Sequence, residues 1–167
     1  MVTKSILRQL VLMATTVVFL PVLLYPAATN YPNYGNLPLS FERNAGQVDG
    51  NVRFLARSPS FGVFLTDTEA VLALSSEDGS ASTVTMEFLG ARQPKEVAGI
   101  DKLPGVMNYL HGNDPRQWRT GVPTFAKVRY RQLYPGIDLM YYGNQGRLEY
   151  DFVVAPGADP KAIQFGF

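Results

Sequence analysis

The stretch IDLMYYGNQGRLEYDFVV, Ile137 to Val154, alternates between apolar and polar positions. Ile137, Leu139 and Tyr141 fall on one face of an extended chain, with Asp138 on the other. Gly143-Asn144-Gln145-Gly146 reads as a four-residue hairpin turn with glycine at both ends. Leu148, Tyr150, Phe152 and Val154 then share a face, opposite Arg147, Glu149, Asp151 and Val153. Successive side chains of a strand point to opposite sides, so this pattern predicts a hairpin with one buried and one solvated face.

The same writing extends outward through the chain. Val52–Arg57 places Phe54 opposite Arg53 and Arg57, and Ser58-Pro59-Ser60 turns into Phe61–Thr66. Glu69–Leu74 and Thr83–Leu89 flank a solvated loop, Ser75–Ser82, with Val84, Met86 and Phe88 predicted to point inward. Phe125–Tyr130 alternates as well. All 15 glycines and all but two of the 12 prolines follow Ala28, which suits many tight turns and few long helices. Only Asn113–Trp118 looks helical, with Asp114 as cap and Pro115 at the first helical position. No repeat of solenoid or propeller period is present. The prediction is an all-β, antiparallel, β-sandwich-like domain over residues 39–167, of about nine short strands and one short helical turn.

The first residues are of another kind. Lys4 and Arg8 precede an apolar run, Leu10–Leu24, interrupted by Pro21. As a helix that run would span about 22 Å at ~1.5 Å per residue, short of a ~30 Å hydrocarbon core. Residues 1–28 therefore read as a secretory signal peptide. Proline at −3 for a cut after Ala28, and Tyr25 there for a cut after Ala27, leave an uncleaved N-terminal anchor as the alternative, and this is the one membrane contact expected. The expected location is outside the cytoplasm, secreted or at the cell surface. Thr29–Pro38 (TNYPNYGNLP) reads as a linker. At the other end Ile163–Phe167 reads as a strand whose neighbour has not appeared, so the chain is expected to be the front of a longer protein.

Composition removes several function classes. There is no cysteine, so thiol catalysis and cysteine-ligated metals are excluded, and a single histidine, His111, gives no histidine cluster. Fifteen basic against 14 acidic residues provide no basic excess for a nucleic-acid partner.

From Pro38 to Gln47 (PLSFERNAGQ), through Val52–Arg57, Leu103-Pro104-Gly105 and above all Gly112–Pro160, the chain resembles the N-terminal β domain of bacterial exported proteins that carry SBBP-type β-propeller repeats. The repeats themselves are missing here. The resemblance implies an all-β, export-associated module with downstream propeller repeats as its partner, and supplies no catalytic residue.

The candidate chemistry is sparse. Glu149 and Asp151 share a face, and Asp138 is expected across the hairpin on that face. Two carboxylates so placed are what a glycosidase uses, but exposed acids alternating with core residues are the ordinary outer face of a strand. Trp118, Tyr130, Tyr134, Tyr141, Tyr142 and Tyr150 make the second half aromatic, which suits either stacking on sugar rings or core and cross-strand packing. Tyr141 and Tyr142, being adjacent, must face opposite sides. His111, beside Gly112-Asn113-Asp114, reads as loop polarity. Asp49-Gly50-Asn51 and Gly157–Pro160 are turn-like and lack the spaced acids of a calcium loop. Trp118, Tyr130, Tyr141, Tyr142, Tyr150, Asp138, Glu149 and Asp151 are accordingly the ligand-facing candidates; no catalytic, metal or cofactor-binding residue is assigned, and no cofactor is expected. The expected role is a non-enzymatic interaction module contacting surface proteins or glycans, with a carbohydrate-binding or carbohydrate-active domain as the alternative.

Overall fold

A computed structural model describes residues 39–76 and 79–167. The signal-peptide and linker readings, residues 1–38, lie outside the described residues. Within them the chain is all-β and antiparallel, as its period-two patterning demands. Ten strands join one sheet: β1 (Phe41–Arg43), β2 (Phe54–Arg57), β3 (Phe61–Leu65), β4 (Glu69–Ser75), β5 (Ala81–Phe88), β6 (Glu96–Tyr109), β7 (Arg119–Tyr134), β8 (Ile137–Asn144), β9 (Arg147–Val154) and β10 (Phe165–Gly166).

The strand order is β10-β5-β4-β3-β2-β1-β7-β8-β9, with β6 also paired to β7. That arrangement forks the sheet. Phe125 of β7 pairs with Lys102 of β6 on one side and Phe41 of β1 on the other; three residues on, Val128 pairs with Gly99 of β6 and Tyr141 of β8. Strands β1 and β8 therefore lie end to end along the same edge of β7. At their junction Gly143 meets Leu39 so closely that a Cβ would sit 2.4 Å from the leucine Cβ and 2.9 Å from its backbone nitrogen, so no side chain fits at that position.

From the fork the sheet curls, and its two branches bury their apolar faces together. Phe41, Phe54, Ala56, Val63, Leu65, Ala70, Met86 and Phe88 come from the β1–β5 branch, and Val128, Tyr130, Ile137, Leu139 and Tyr141 from the β7–β9 branch. Phe88 and Tyr130 meet edge-on across the branches at 6.4 Å, and the Tyr130 hydroxyl donates to the Thr66 carbonyl at 2.5 Å. Burying a side chain of this size contributes roughly 1.5–3 kcal/mol, so these residues hold the branches together.

Three local readings need correction. The β8–β9 hairpin turn has two residues rather than four: the ladder runs out to Asn144↔Arg147, and Gln145 and Gly146 both take positive φ, as a tight primed turn requires. Among the described residues two 3₁₀ turns replace the single helical turn. Pro115–Gln117 is capped by Asp114, as expected, and Pro160–Ala162 is capped in the same way by Asp159. Finally, β6 and the full length of β7 form a long hairpin of which the sequence announced only Phe125–Tyr130.

Candidate binding groove at the seam of the sheet

Where the two branches end, they leave a groove of about 160 Å³ between β4–β5 and β8–β9. Leu72, Val84 and Met86 line one wall, Leu148 and Tyr150 the other, and Phe167 stands at its margin. No lining residue is charged. The alternation that fills the core elsewhere here runs out of partners: Val84 is 39% exposed, Tyr150 38%, Phe165 40% and Phe167 84%.

Tyr141 lines the same groove and is fully buried, its ring packed against Tyr130 at 5.8 Å and Tyr150 at 6.0 Å. Its hydroxyl is shut off from solvent and has no hydrogen-bond partner among the described residues. Burial drives its pKa upward, with the neighbouring Tyr150 adding to the effect, so the group stays a neutral O–H.

The backbone on the β5 side is open too. The Phe88 N–H donates to the Thr68 carbonyl next to β4, whereas the Leu89 N–H donates the other way, to the Gln164 carbonyl next to β10. Alternation along an antiparallel strand then directs the main-chain groups of Ala81, Thr83, Thr85 and Glu87 away from β4. β10 covers this edge only at Glu87 and Phe88. Among the described residues nothing pairs with the outward groups of Ala81, Thr83 and Thr85.

Of the residues proposed from sequence, the structure gathers Tyr141 and Tyr150 at this groove. Tyr130 is withdrawn: its ring lies wholly inside the core, where burial raises its pKa, and it cannot face a ligand. Asp138, Tyr142, Glu149 and Asp151 do share the opposite, outer face, through the pairs Asp138↔Val153, Met140↔Asp151 and Tyr142↔Glu149. Asp138, however, is tied to the backbone: its carboxylate accepts the Gln132 N–H at 2.8 Å, stapling a bulge where Gln132 takes a φ of 53°. Glu149 accepts from the Asn144 amide at 2.9 Å. Tyr142, its pKa raised by lost hydration and then by its bonds to Asp151 and Glu149, sits between those two acids. Trp118 is elsewhere, nine residues along β7 from the Lys127 that pairs with Tyr142, about 30 Å of extended chain. Its indole N–H donates to the Gly112 carbonyl at 3.2 Å.

One polar cluster was invisible in the sequence. Glu42 is only 3% exposed, on the face of β1 opposite Phe41. Arg57 of β2 meets its carboxylate at 2.9 Å, and the Tyr109 hydroxyl of β6 donates to its other oxygen. The guanidinium also stands 5.3 Å from the centre of the Tyr109 ring. Burial, and then the bond to Glu42, push the tyrosine up to about 12. His111 is exposed and stacks on Tyr109 at 6.2 Å. The partners are 15 and 67 residues from Glu42, so no local spacing could have linked them. Around it, the Asn44 side chain donates to the Asp49 and Val52 carbonyls and accepts the Gly46 N–H, which organises the loop that follows. This cluster is a clasp: Glu42 of β1 is held at one carboxylate oxygen by Arg57 of β2 and at the other by Tyr109 of β6. Among the described residues no group of three acids and histidines is placed to hold a metal ion.

A family described as a domain of unknown function, DUF7948, matches residues 41–167. Neither a curated protein nor a solved structure matches the chain.

Proposed function

The chain belongs to the DUF7948 family, a domain of unknown function, and on the sequence resemblance described above we propose that it is a non-enzymatic interaction module of exported proteins built around SBBP-type β-propeller repeats, engaging its partner at the seam of the curled sheet. The observation that carries this reading is the set of exposed apolar side chains at the seam, Val84, Tyr150, Phe165 and Phe167, beside a groove without charge. Apolar residues scattered singly over a surface need no explanation, but gathered at one groove they mark a contact site. The enclosed state of Glu42 supports the same reading, because both of its carboxylate oxygens are already taken up, one by Arg57 and one by Tyr109. The N-terminal apolar run supports export.

Titrating the full chain with a purified SBBP-type propeller, followed by calorimetry, tests the reading. Association is expected, weakened about tenfold, or 1.4 kcal/mol, when Phe165 and Phe167 are both changed to serine. Absence of association, together with turnover of any polysaccharide in a hydrolysis screen, defeats it.

The outer face supports a second reading, carbohydrate binding, on the placement of Tyr142 between Glu149 and Asp151. An aromatic ring flanked by acceptors suits a sugar, and Tyr142→Ala would abolish such binding while sparing the seam.

A further inference from the structure

We propose that the free edge of β5 is a strand-addition site: an extended segment of a partner protein, apolar at every second residue, lies antiparallel alongside Ala81–Thr85, in line with β10, and sends its apolar side chains into the seam groove. The proposal rests on the interaction-module reading and adds the mode of binding and the chemistry of the partner.

Three observations converge on a strand rather than a compact ligand. First, the main-chain groups of Ala81, Thr83 and Thr85 point away from β4 and have no partner among the described residues, while the next outward group, Glu87, is already paired with Gly166 of β10. A row of unpaired N–H and C=O groups is a template for another strand. Second, the side chains that stand over this edge on the core side, Val84 and Met86, form one wall of the groove, and Leu148 and Tyr150 of β9 form the other. A strand added to β5 places every second side chain between those walls, because side chains on neighbouring strands share a face in register. Third, β10 shows the geometry on a small scale. Its Phe165 pairs with Phe88 and packs edge-on against Phe167 at 5.7 Å, so two residues of exactly this kind of strand already sit on the same edge. The groove carries no charge, so the inserted residues are neutral and apolar; the face of β5 opposite the groove carries Thr83, Thr85 and Glu87, which suits polar residues at the alternate positions.

The probe is a capped peptide of alternating threonine and valine, titrated into the full-length, isotope-labelled chain. Its control is the same peptide with a central proline. Binding is expected to slow hydrogen exchange at the Thr83 and Thr85 amides about tenfold, while the amides of Val84 and Met86, which face β4, change little. The proline peptide should bind about tenfold more weakly. In the protein, Thr83→Pro removes an N–H that β4 does not use, so the variant should fold and lose peptide binding. If that variant does not fold, backbone N-methylation of the peptide makes the same test from the other side.

Peptide binding without protection of Thr83 and Thr85 overturns the proposal. So does self-association through this edge in place of peptide binding, seen by sedimentation and blocked by Thr83→Pro, which would make a second copy the occupant. Should the propeller bind the full chain unaffected by Thr83→Pro, strand addition fails and the interaction reading stands. Should neither propeller nor peptide bind, both fail.

Discussion

The clasp at Glu42 and the groove at Tyr141 are two answers to the same problem, a polar atom withdrawn from water. At the clasp, the carboxylate meets a guanidinium at 2.9 Å and a phenol, contributed by three strands that are distant in sequence. At the groove, the phenol of Tyr141 meets no hydrogen-bond partner among the described residues. A buried charge needs its partners, whereas a buried neutral hydroxyl can go without at a cost of about 1–3 kcal/mol. The difference separates a finished side of the molecule from an unfinished one. Where Tyr109 of β6 reaches Glu42 and Arg57 the polar groups close on one another; at the seam, main-chain edge and apolar wall are left available, with an unpartnered hydroxyl sealed beneath them.

The contrast predicts a hierarchy of effects. Arg57→Ala strikes the finished side and leaves a nearly inaccessible carboxylate with the tyrosine alone. Removing one partner of a buried pair costs up to ~3–5 kcal/mol, and because Arg57 is one-third exposed the expected loss is about 2–3 kcal/mol, read as a lower denaturant midpoint at unchanged slope. A loss below ~0.5 kcal/mol would mean that water replaces the guanidinium and the clasp is no clasp.

Alkaline titration comes next. Tyr109 ionises near 10 when unfolded and near 12 in the fold, so between those values the unfolded chain has lost a proton that the folded chain keeps. Stability is therefore intact below pH 10 and falls as pH rises toward 12. Tyr130 and Tyr141, raised by burial, act with the same sign. The part belonging to the clasp is the difference between the chain and Tyr109→Phe, whose stability should fall less steeply across that window; parallel curves would contradict it.

The smallest effect belongs to the unfinished side. Tyr141→Phe removes a hydroxyl without a partner among the described residues, so stability should rise by about 1 kcal/mol. A marked loss in thermal unfolding would reveal a bonded hydroxyl and erase the contrast.

How much of this was written in the sequence depended on distance along the chain. Strands β5, β8 and β9 were legible because each keeps one apolar face and one largely polar face for eight residues, which needs no knowledge of the partner. β6 was not. Its Gly99, Asp101, Pro104 and Gly105 spoil the alternation, a register shift divides it between Lys102 and Val106, and most of its side chains stay exposed. It is a strand because β7 offers an edge, not because its residues insist on it. Glu42 escaped notice for a related reason: three-residue β1 is buried on both faces, so its charge reads as a solvated position until Arg57 and Tyr109 arrive from elsewhere. Among the aromatic candidates, adjacency correctly separated Tyr141 from Tyr142, but nothing local distinguished Tyr130, sealed in the core, from Tyr150, half open at the groove.

The meeting of Leu39 with Gly143 also sets a clock. Two residues about a hundred positions apart must touch before β1 can take its place at the fork, and the edge of β1 away from β2 waits for Thr124 and Phe125. Sheets dominated by such remote pairings fold in milliseconds to seconds rather than microseconds. As the polypeptide emerges N-terminus first, β1 to β5 can pair as successive hairpins with what has already appeared, but the other edge of β1 stays open until β7 has followed, and Leu39 has no neighbour in Gly143 until β8 has followed too. One edge of β1 is thus locked early and the other late, and a chain whose passage is stopped anywhere before Gly143 holds Leu39 without the neighbour it packs against.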